Sequence, residues 1–173
     1  MTKDTFQKRR EFAEAFGVLF ERVGLPCMAG RIWGWLLTSA PPYQTAAEIA
    51  EGLSASRGSV STMAGLLLQL GVIERVGMPG ERNKLYRLRS GGFTEILKQR
   101  MRLMTELRMT VERGLDLLKD EPPDVRGVIE EYHDLCVFFE KEFPAMIAKW
   151  ERMKRQGESG KRGRGEKGVE EER

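Results

Sequence analysis

Residues that build metal and redox sites are scarce in this sequence, which has one histidine and two cysteines among 173 residues. Two cysteines without a CxxC spacing do not make a zinc site. Cys27 and Cys136 each lie among apolar neighbours. We expect both to be reduced, structural thiols, with a disulfide or redox switch as the alternative. No metal and no other cofactor is expected.

Long apolar runs are missing as well. No stretch approaches the ~18 consecutive apolar residues that a membrane-spanning helix needs. The first ten residues are rich in charge, with Lys3, Asp4, Lys8, Arg9 and Arg10, and they contain no apolar core of a signal peptide. We therefore expect a cytoplasmic protein with no membrane partner.

Catalytic motifs are absent too. The sequence contains no P-loop, no GxSxG, no HExxH and no dinucleotide-binding fingerprint. The single histidine, His133, lies between Tyr132 and Asp134 in an acidic segment, where a solvated side chain is expected. We assign no catalytic residues and do not expect an enzyme.

Charge is present but unevenly distributed. The net charge of the whole chain is +3, whereas residues 56–89 hold six cations and two acids, a net +4. Residues 120–144 hold two cations and eight acids, a net −6. The first segment would attract a polyanion and the second would repel it. Ordinary charged helix surface is the alternative explanation.

Two helices are predicted at the N-terminus. Apolar residues at helical spacing over Thr5–Val23 indicate an amphipathic helix that Gly24 ends. A second helix, about Pro26 to Ser39, is apolar on more than one face and should be buried from two sides. Pro41 and Pro42 then impose an extended break.

The next segment predicts a helix-turn-helix followed by a hairpin. Thr45 and Glu48 form a capping box at the start of a short helix that ends near Gly52. Ser56 is a favourable N-cap for a helix to Leu70, and Gly71 is the expected residue just after its end. Two strands follow, at 72–76 and 84–88, joined by glycine-rich turn residues. We predict a mainly α fold with a small β-hairpin wing.

Two long helices are predicted at the C-terminus, one to about Lys119 and one after the break at 120–123. Their apolar stripes exceed what a winged helix of this size could cover, which favours a homodimer. Folding back on their own domain is the alternative. The predicted regions are an N-terminal helix (1–24), a winged helix-turn-helix (25–90), a helical dimerisation region (91–154) and a disordered charged tail (155–173).

The helix after Ser56 and the wing carry the functional prediction. The first turns of that helix should present a polar set of side chains to the major groove of double-stranded DNA, beside the positive end of the helix dipole. The wing should present basic and polar residues to the adjacent minor groove. The predicted major-groove residues are Arg57, Ser59, Ser61 and Thr62, and the predicted wing residues are Arg82, Asn83 and Lys84. A winged-helix protein-interaction module without specific DNA binding is the alternative.

Four segments of this sequence resemble the GbsR-type branch of the MarR-like regulators: 24–37, 47–50, 56–61 and 70–73. The resemblance implies a homodimeric winged-helix repressor, often modulated by a small molecule. Family members with known effectors include regulators of choline and glycine betaine genes. The wing reads Gly80-Glu-Arg-Asn-Lys84 where the wider MarR group has an Asp-x-Arg-rich form, and Arg82 is the best candidate for the minor-groove contact.

A low density of aromatics, 8% of the chain, makes one local concentration of them noticeable. Trp33, Trp35 and Tyr43 lie close in sequence, and aromatic faces attract quaternary ammonium groups. These three residues are a candidate site for a choline-like effector. Aromatic packing between helices is the alternative.

Overall fold

The computed structural model describes residues 2–77 and 84–167, with side chains described through Gln156. Its elements, in chain order, are α1 (Lys3–Arg22), α2 (Cys27–Leu37), β1 (Tyr43–Thr45), α3 (Ala46–Gly52), α4 (Arg57–Gln69), β2 (Ile73–Val76), β3 (Leu85–Leu88), α5 (Gly92–Leu117) and α6 (Pro123–Lys167). The chain forms two compact units, Met1–Ile96 and Leu97–Arg173.

The backbones of α1 and α2 pack at short distance because glycines line their contact. A Cβ added to Gly34 would lie 2.7 Å from the Cβ of Phe16, and one added to Gly30 would lie 2.6 Å from the Phe16 carbonyl oxygen. On α2 the five consecutive residues 32–36 are all buried. This confirms the prediction that α2 is covered from two sides.

The ends of the helices follow the predicted caps. The Thr45 hydroxyl accepts from the Glu48 amide at 3.2 Å, and the Glu48 carboxylate accepts from the Thr45 amide at 2.7 Å. The Ser56 hydroxyl accepts from the Ser59 amide at 3.1 Å and so begins α4. Gly24 and Gly71 adopt φ values of +75° and +70° after α1 and α4, a region that glycine enters without steric cost. These predictions are confirmed.

The small sheet has three strands in the order β1-β3-β2, all antiparallel. The predicted hairpin of β2 and β3 is confirmed, with Val76 opposite Leu85. Strand β1 was not predicted: it has only three residues, and its backbone is held by β3, with Tyr43 opposite Arg87. The tip of the wing, residues 78–83, lies outside the described residues.

In the second unit α5 and α6 pack along one face. Val111, Cys136 and Ile147 are buried, and Ile129 lies against Gly114. Ion pairs join the two helices, Lys98 to Glu151 at 2.9 Å and Arg108 to Glu140 at 2.8 Å. Both cysteines are free thiols, Cys136 fully buried and Cys27 partly so.

The structure differs from the predicted disordered tail over residues 155–167, which it describes as the end of α6. Lys, Arg and Glu favour helix, but the glycines at 157, 160, 163 and 165 disfavour it, so local propensity does not account for this helical end. Residues 168–173 lie outside the described residues. No helix in the described part of the chain combines the length and the apolar character needed to cross a membrane.

Candidate nucleic-acid interface

Helix α4 is fixed by its inner face, which determines what it presents to solvent. Val60, Ala64 and Leu67 are each 0% exposed, at the spacing of one helical stripe. The opposite side of α4 carries the exposed Gly58, Ser61 and Thr62. Because burial locks the inner stripe, the outer residues have a defined direction relative to the sheet.

An open cleft of about 590 Å³ lies between α4, the start of α3 and the wing. Its walls include Thr45, Arg57, Ser61, Arg75, Lys84 and Tyr86. Two helices and the wing therefore contribute to one concave surface. None of the described residues that line it is acidic.

The cleft is cationic because its three basic side chains are not neutralised within the described part of the chain. Arg57, Arg75 and Lys84 are exposed and form no ion pair there. Arg87, which follows the cleft residue Tyr86 on β3, differs from these three: its Nε lies 2.6 Å from a carboxylate oxygen of Glu74. The N-terminus of α4 adds the positive end of its dipole to the cleft. An anionic ligand such as a phosphate diester backbone suits this surface.

Some of the predicted DNA-binding residues meet in the cleft and others do not. Arg57, Ser61 and Lys84 line it together. Ser59 is half-buried in the first turn of α4. Thr62 is exposed, and its hydroxyl donates to the Gly58 carbonyl at 3.0 Å. Arg82 and Asn83 lie outside the described residues.

Three polar residues of the cleft were missed from the sequence. Arg75 lies on β2 between partly buried neighbours, and the alternation of that strand was a usable signal for its outward direction. Thr45 was noted only as a helix cap, yet it also lines the cleft. Tyr86 is 5% exposed and pairs with Arg75 across the sheet, a register that sequence spacing does not supply.

The three aromatic residues predicted to hold an effector are in separate surroundings. Trp33 is 8% exposed and packs edge-on against Phe20 and Phe93 at centroid distances of 5.1 and 6.0 Å. Trp35 is 2% exposed, and its Nε1 donates to the Gln44 side chain at 2.6 Å.

The face of Trp35 already has a cation on it, since the Arg9 guanidinium lies 4.2 Å from the ring centroid. Burial lowers the pKa of Arg9 from its ordinary value. Tyr43 lies half-buried on β1. Among the described residues no ring contact joins any two of Trp33, Trp35 and Tyr43. Trp33 and Trp35 are two residues apart on α2 and so face opposite sides of it, and Tyr43 lies on β1. The structure does not assemble them into one cage.

Comparison with known proteins gives the family. A family model described as MmpR5-like MarR family transcriptional regulator matches residues 91–154, which cover most of α5 and α6. The HTH-type transcriptional regulator MmpR5 of Mycobacterium tuberculosis (strain ATCC 25618 / H37Rv) is 40% identical over 130 residues, covering 75% of this chain and 79% of that protein. The chain belongs to the MmpR5-like MarR family.

A solved structure of a transcriptional regulator is also similar to this chain. A crystal structure described as a transcriptional regulator is 36% identical, has a TM-score of 0.68 and covers 84% of this chain and 99% of that chain. This MmpR5-like MarR protein is thus a DNA-binding transcriptional regulator with a winged helix-turn-helix, as predicted. The family assignment confirms the MarR-like part of the predicted resemblance.

Proposed function

We propose that this MarR-family regulator is a homodimeric repressor that holds operator DNA in the cationic cleft between α4 and the wing. One observation supports the proposal above all: Arg57, Arg75 and Lys84, from α4 and both sides of the hairpin, converge on one cleft without a described acid among them. Cations that carry no internal partner are available for phosphates, and each neutralised phosphate releases condensed counterions from DNA. The proposal includes no catalytic step.

The residues divide into two roles. Arg57, Ser59, Ser61 and Thr62 belong to the first half of α4, which enters the major groove and reads base edges. Arg75 and Lys84 flank α4 and contact phosphates, which fixes the register of the protein on the duplex without reading sequence. Arg82 and Asn83 remain predicted contacts of the wing with the neighbouring minor groove.

Homodimerisation is proposed from exposed apolar side chains that repeat along α6. They recur at intervals of three, four or seven residues, which places them on one stripe of the helix. The stripe comprises Val128, Tyr132, Leu135, Phe139, Met146, Trp150 and Met153, each at least 38% exposed. A second copy of the chain would cover this stripe and present two α4 helices to a near-palindromic site.

The finer features of the regulator are also proposals. Repression, the GbsR-type branch and a choline-like effector rest on the sequence resemblance in 24–37, 47–50, 56–61 and 70–73. Since Trp33, Trp35 and Tyr43 have separate surroundings, an effector would need another site or a rearrangement of these rings. Chromosomal DNA as the partner agrees with the expected cytoplasmic localisation.

DNA binding by the cleft is tested with substitutions that remove one cation at a time. A duplex is first obtained by in-vitro selection with the wild-type protein, and affinities for it and for a scrambled duplex are measured over a range of salt concentration. Arg75→Ala and Lys84→Ala should weaken binding to both duplexes alike. Each should reduce the salt dependence of the affinity, as a log–log slope, by about 1, as expected of phosphate contacts. Arg57→Ala should cost ~1–3 kcal/mol and relax sequence preference.

Arg22→Ala is the matched control, because Arg22 is an exposed arginine of α1 that does not line the cleft. It should leave both affinities and the salt slope unchanged. Selection that enriches no sequence, or cleft variants that bind like the control, would contradict the proposal and favour a winged-helix protein-interaction module.

A further inference from the structure

Arg31 of α2 joins two elements that flank it in space. Its Nη2 donates to the Leu53 carbonyl oxygen at 2.7 Å and lies 2.5 Å from a carboxylate oxygen of Glu14 on α1. Only 17% of the Arg31 side chain is exposed. A charge-assisted hydrogen bond at such a shielded position is stronger than one between neutral groups in water.

A glycine of α1 leaves room for the Arg31 side chain to pass. A Cβ added to Gly17 would lie 2.6 Å from the Cγ of Arg31, so the aliphatic stem of Arg31 crosses α1 where that helix has no side chain. Glu14 lies one turn earlier on α1 and contacts the guanidinium. The passage at Gly17 and the carboxylate of Glu14 together direct the Arg31 head group toward Leu53.

The acceptor lies in the turn of the helix-turn-helix. Leu53 is the C-cap of α3, and the next residue, Ser54, has φ +49°. For a residue with a Cβ this left-handed conformation costs about 1–2 kcal/mol. The Ala55 amide donates back to Ala50 at 2.8 Å, and Ser56 then begins α4. The direction of α4 therefore depends on a short turn that contains a strained residue.

We propose that Arg31 is a positioning residue for DNA recognition: by binding the Leu53 carbonyl and Glu14 it holds the strained turn onto α2 and α1 and so sets the direction of α4. Arg31 does not line the cationic cleft. Its effect is therefore on how well α4 fits a specific site and not on attraction to phosphates. This inference rests on the proposed DNA-binding cleft.

The experiment compares four variants with the wild type. Arg31→Met keeps the stem and removes both polar contacts, Arg31→Lys keeps one charge, and Glu14→Gln removes the carboxylate while leaving the Leu53 contact possible. Lys8→Met is the matched control, because it breaks an exposed ion pair of α1, the helix that holds Glu14, between Lys8 and Asp4 at 2.7 Å. Affinity for the selected duplex, affinity for the scrambled duplex, melting temperature and amide exchange at Ala55 are measured for each.

Arg31→Met should weaken binding to the selected duplex by about tenfold or more, which corresponds to one charge-assisted hydrogen bond. Binding to the scrambled duplex should change by less than about twofold and keep its salt slope, since no phosphate contact is lost. Exchange at Ala55 should become faster. Arg31→Lys and Glu14→Gln should show smaller losses in the same direction, and Lys8→Met none.

A role confined to stability would lower the melting temperature but leave the ratio of the two affinities unchanged in Arg31→Lys and Glu14→Gln, and that result would overturn the inference. If Arg31→Met does not fold, these two milder variants still distinguish a positioning role from a role confined to stability. If Arg57→Ala weakens specific binding while the Arg31 and Glu14 variants do not, only the positioning role fails. If neither set has an effect, the proposed cleft fails.

Discussion

Gly58 is the second residue of α4, a position where most side chains would favour the helix more. A Cβ added there would have no heavy atom within 4 Å, so nothing described within the chain requires a glycine. Glycine in a helix costs roughly 0.5–1 kcal/mol relative to alanine. The outer face of α4 thus carries a local cost that the fold does not explain, and the proposed close approach of DNA to this face would explain it.

Replacing Gly58 with alanine should therefore stabilise the protein and weaken DNA binding. The expected gain is up to about 1 kcal/mol in the free energy of unfolding. Affinity for the selected duplex should fall by roughly tenfold, comparable to losing one base contact. Thermal denaturation and a binding titration measure the two effects on the same sample.

Gly127→Ala is the control for this substitution. Gly127 lies within α6, and a Cβ added there also meets no heavy atom within 4 Å. It should give a similar gain in stability with no change in DNA affinity. A Gly58→Ala variant that is stabilised and binds DNA as tightly as the wild type would rule out close approach at this position.

At the scale of the element, the sequence predicted what is encoded locally. The capping box of Thr45, the cap at Ser56 and the turn at Gly71 each depend on residues within a few positions, and all three are confirmed. Strand β1 depends on hydrogen bonds to β3, some forty residues later in the chain, and no local sequence pattern predicts it.

The candidate site divides in the same way. Arg57, Ser61 and Lys84 were predicted because helix direction and wing composition are visible along the chain, and they line the cleft. The bond from Arg31 to Leu53 was not predicted, since it requires α1 and α2 to pack closely at Gly17. The cage of Trp33 and Trp35 was suggested by sequence proximity, which does not correspond to proximity in a helix.

The pairing of α5 with α6 should be sensitive to acid. The Thr105 hydroxyl and the Arg108 guanidinium hold the pKa of Glu140 below its ordinary value of 4.5, against the opposing effect of burial. A lowered pKa in the folded state means that the unfolded state binds more protons. The stabilising contribution of Glu140 is therefore complete above pH 4.5 and is lost as the pH falls through the lowered pKa of the folded state.

Glu140→Gln should make the protein less stable at neutral pH and flatten the loss of stability that sets in as the pH falls below about 4.5. Glu142→Gln is the control: Glu142 is exposed on the same helix and has no described ion pair. Urea denaturation at a series of pH values measures both. Parallel pH profiles for wild type and Glu140→Gln would refute the role of this carboxylate.

At the scale of the whole molecule, exposed apolar surface and DNA recognition lead to the same assembly. The stripe on α6 is an exposed apolar patch of the kind that marks interfaces. A near-palindromic operator needs two α4 helices, and one chain has one. A second copy on the α6 stripe satisfies both requirements, whereas a monomer satisfies neither.

Leu135→Glu places a carboxylate in the middle of this stripe, where Leu135 is 54% exposed in the single chain. Burying that unpaired charge between two copies would cost several kcal/mol, so the variant should be a monomer near 19.7 kDa while the wild type has twice that mass. Light scattering at micromolar concentration measures the difference. Affinity for the selected duplex should fall together with dimerisation, because a monomer contacts only one half-site.

The control is Lys141→Glu, at an exposed residue of α6 away from the stripe, and this variant should remain a dimer. A wild type that is monomeric in this measurement would mean that the long helices cover their apolar faces within one chain.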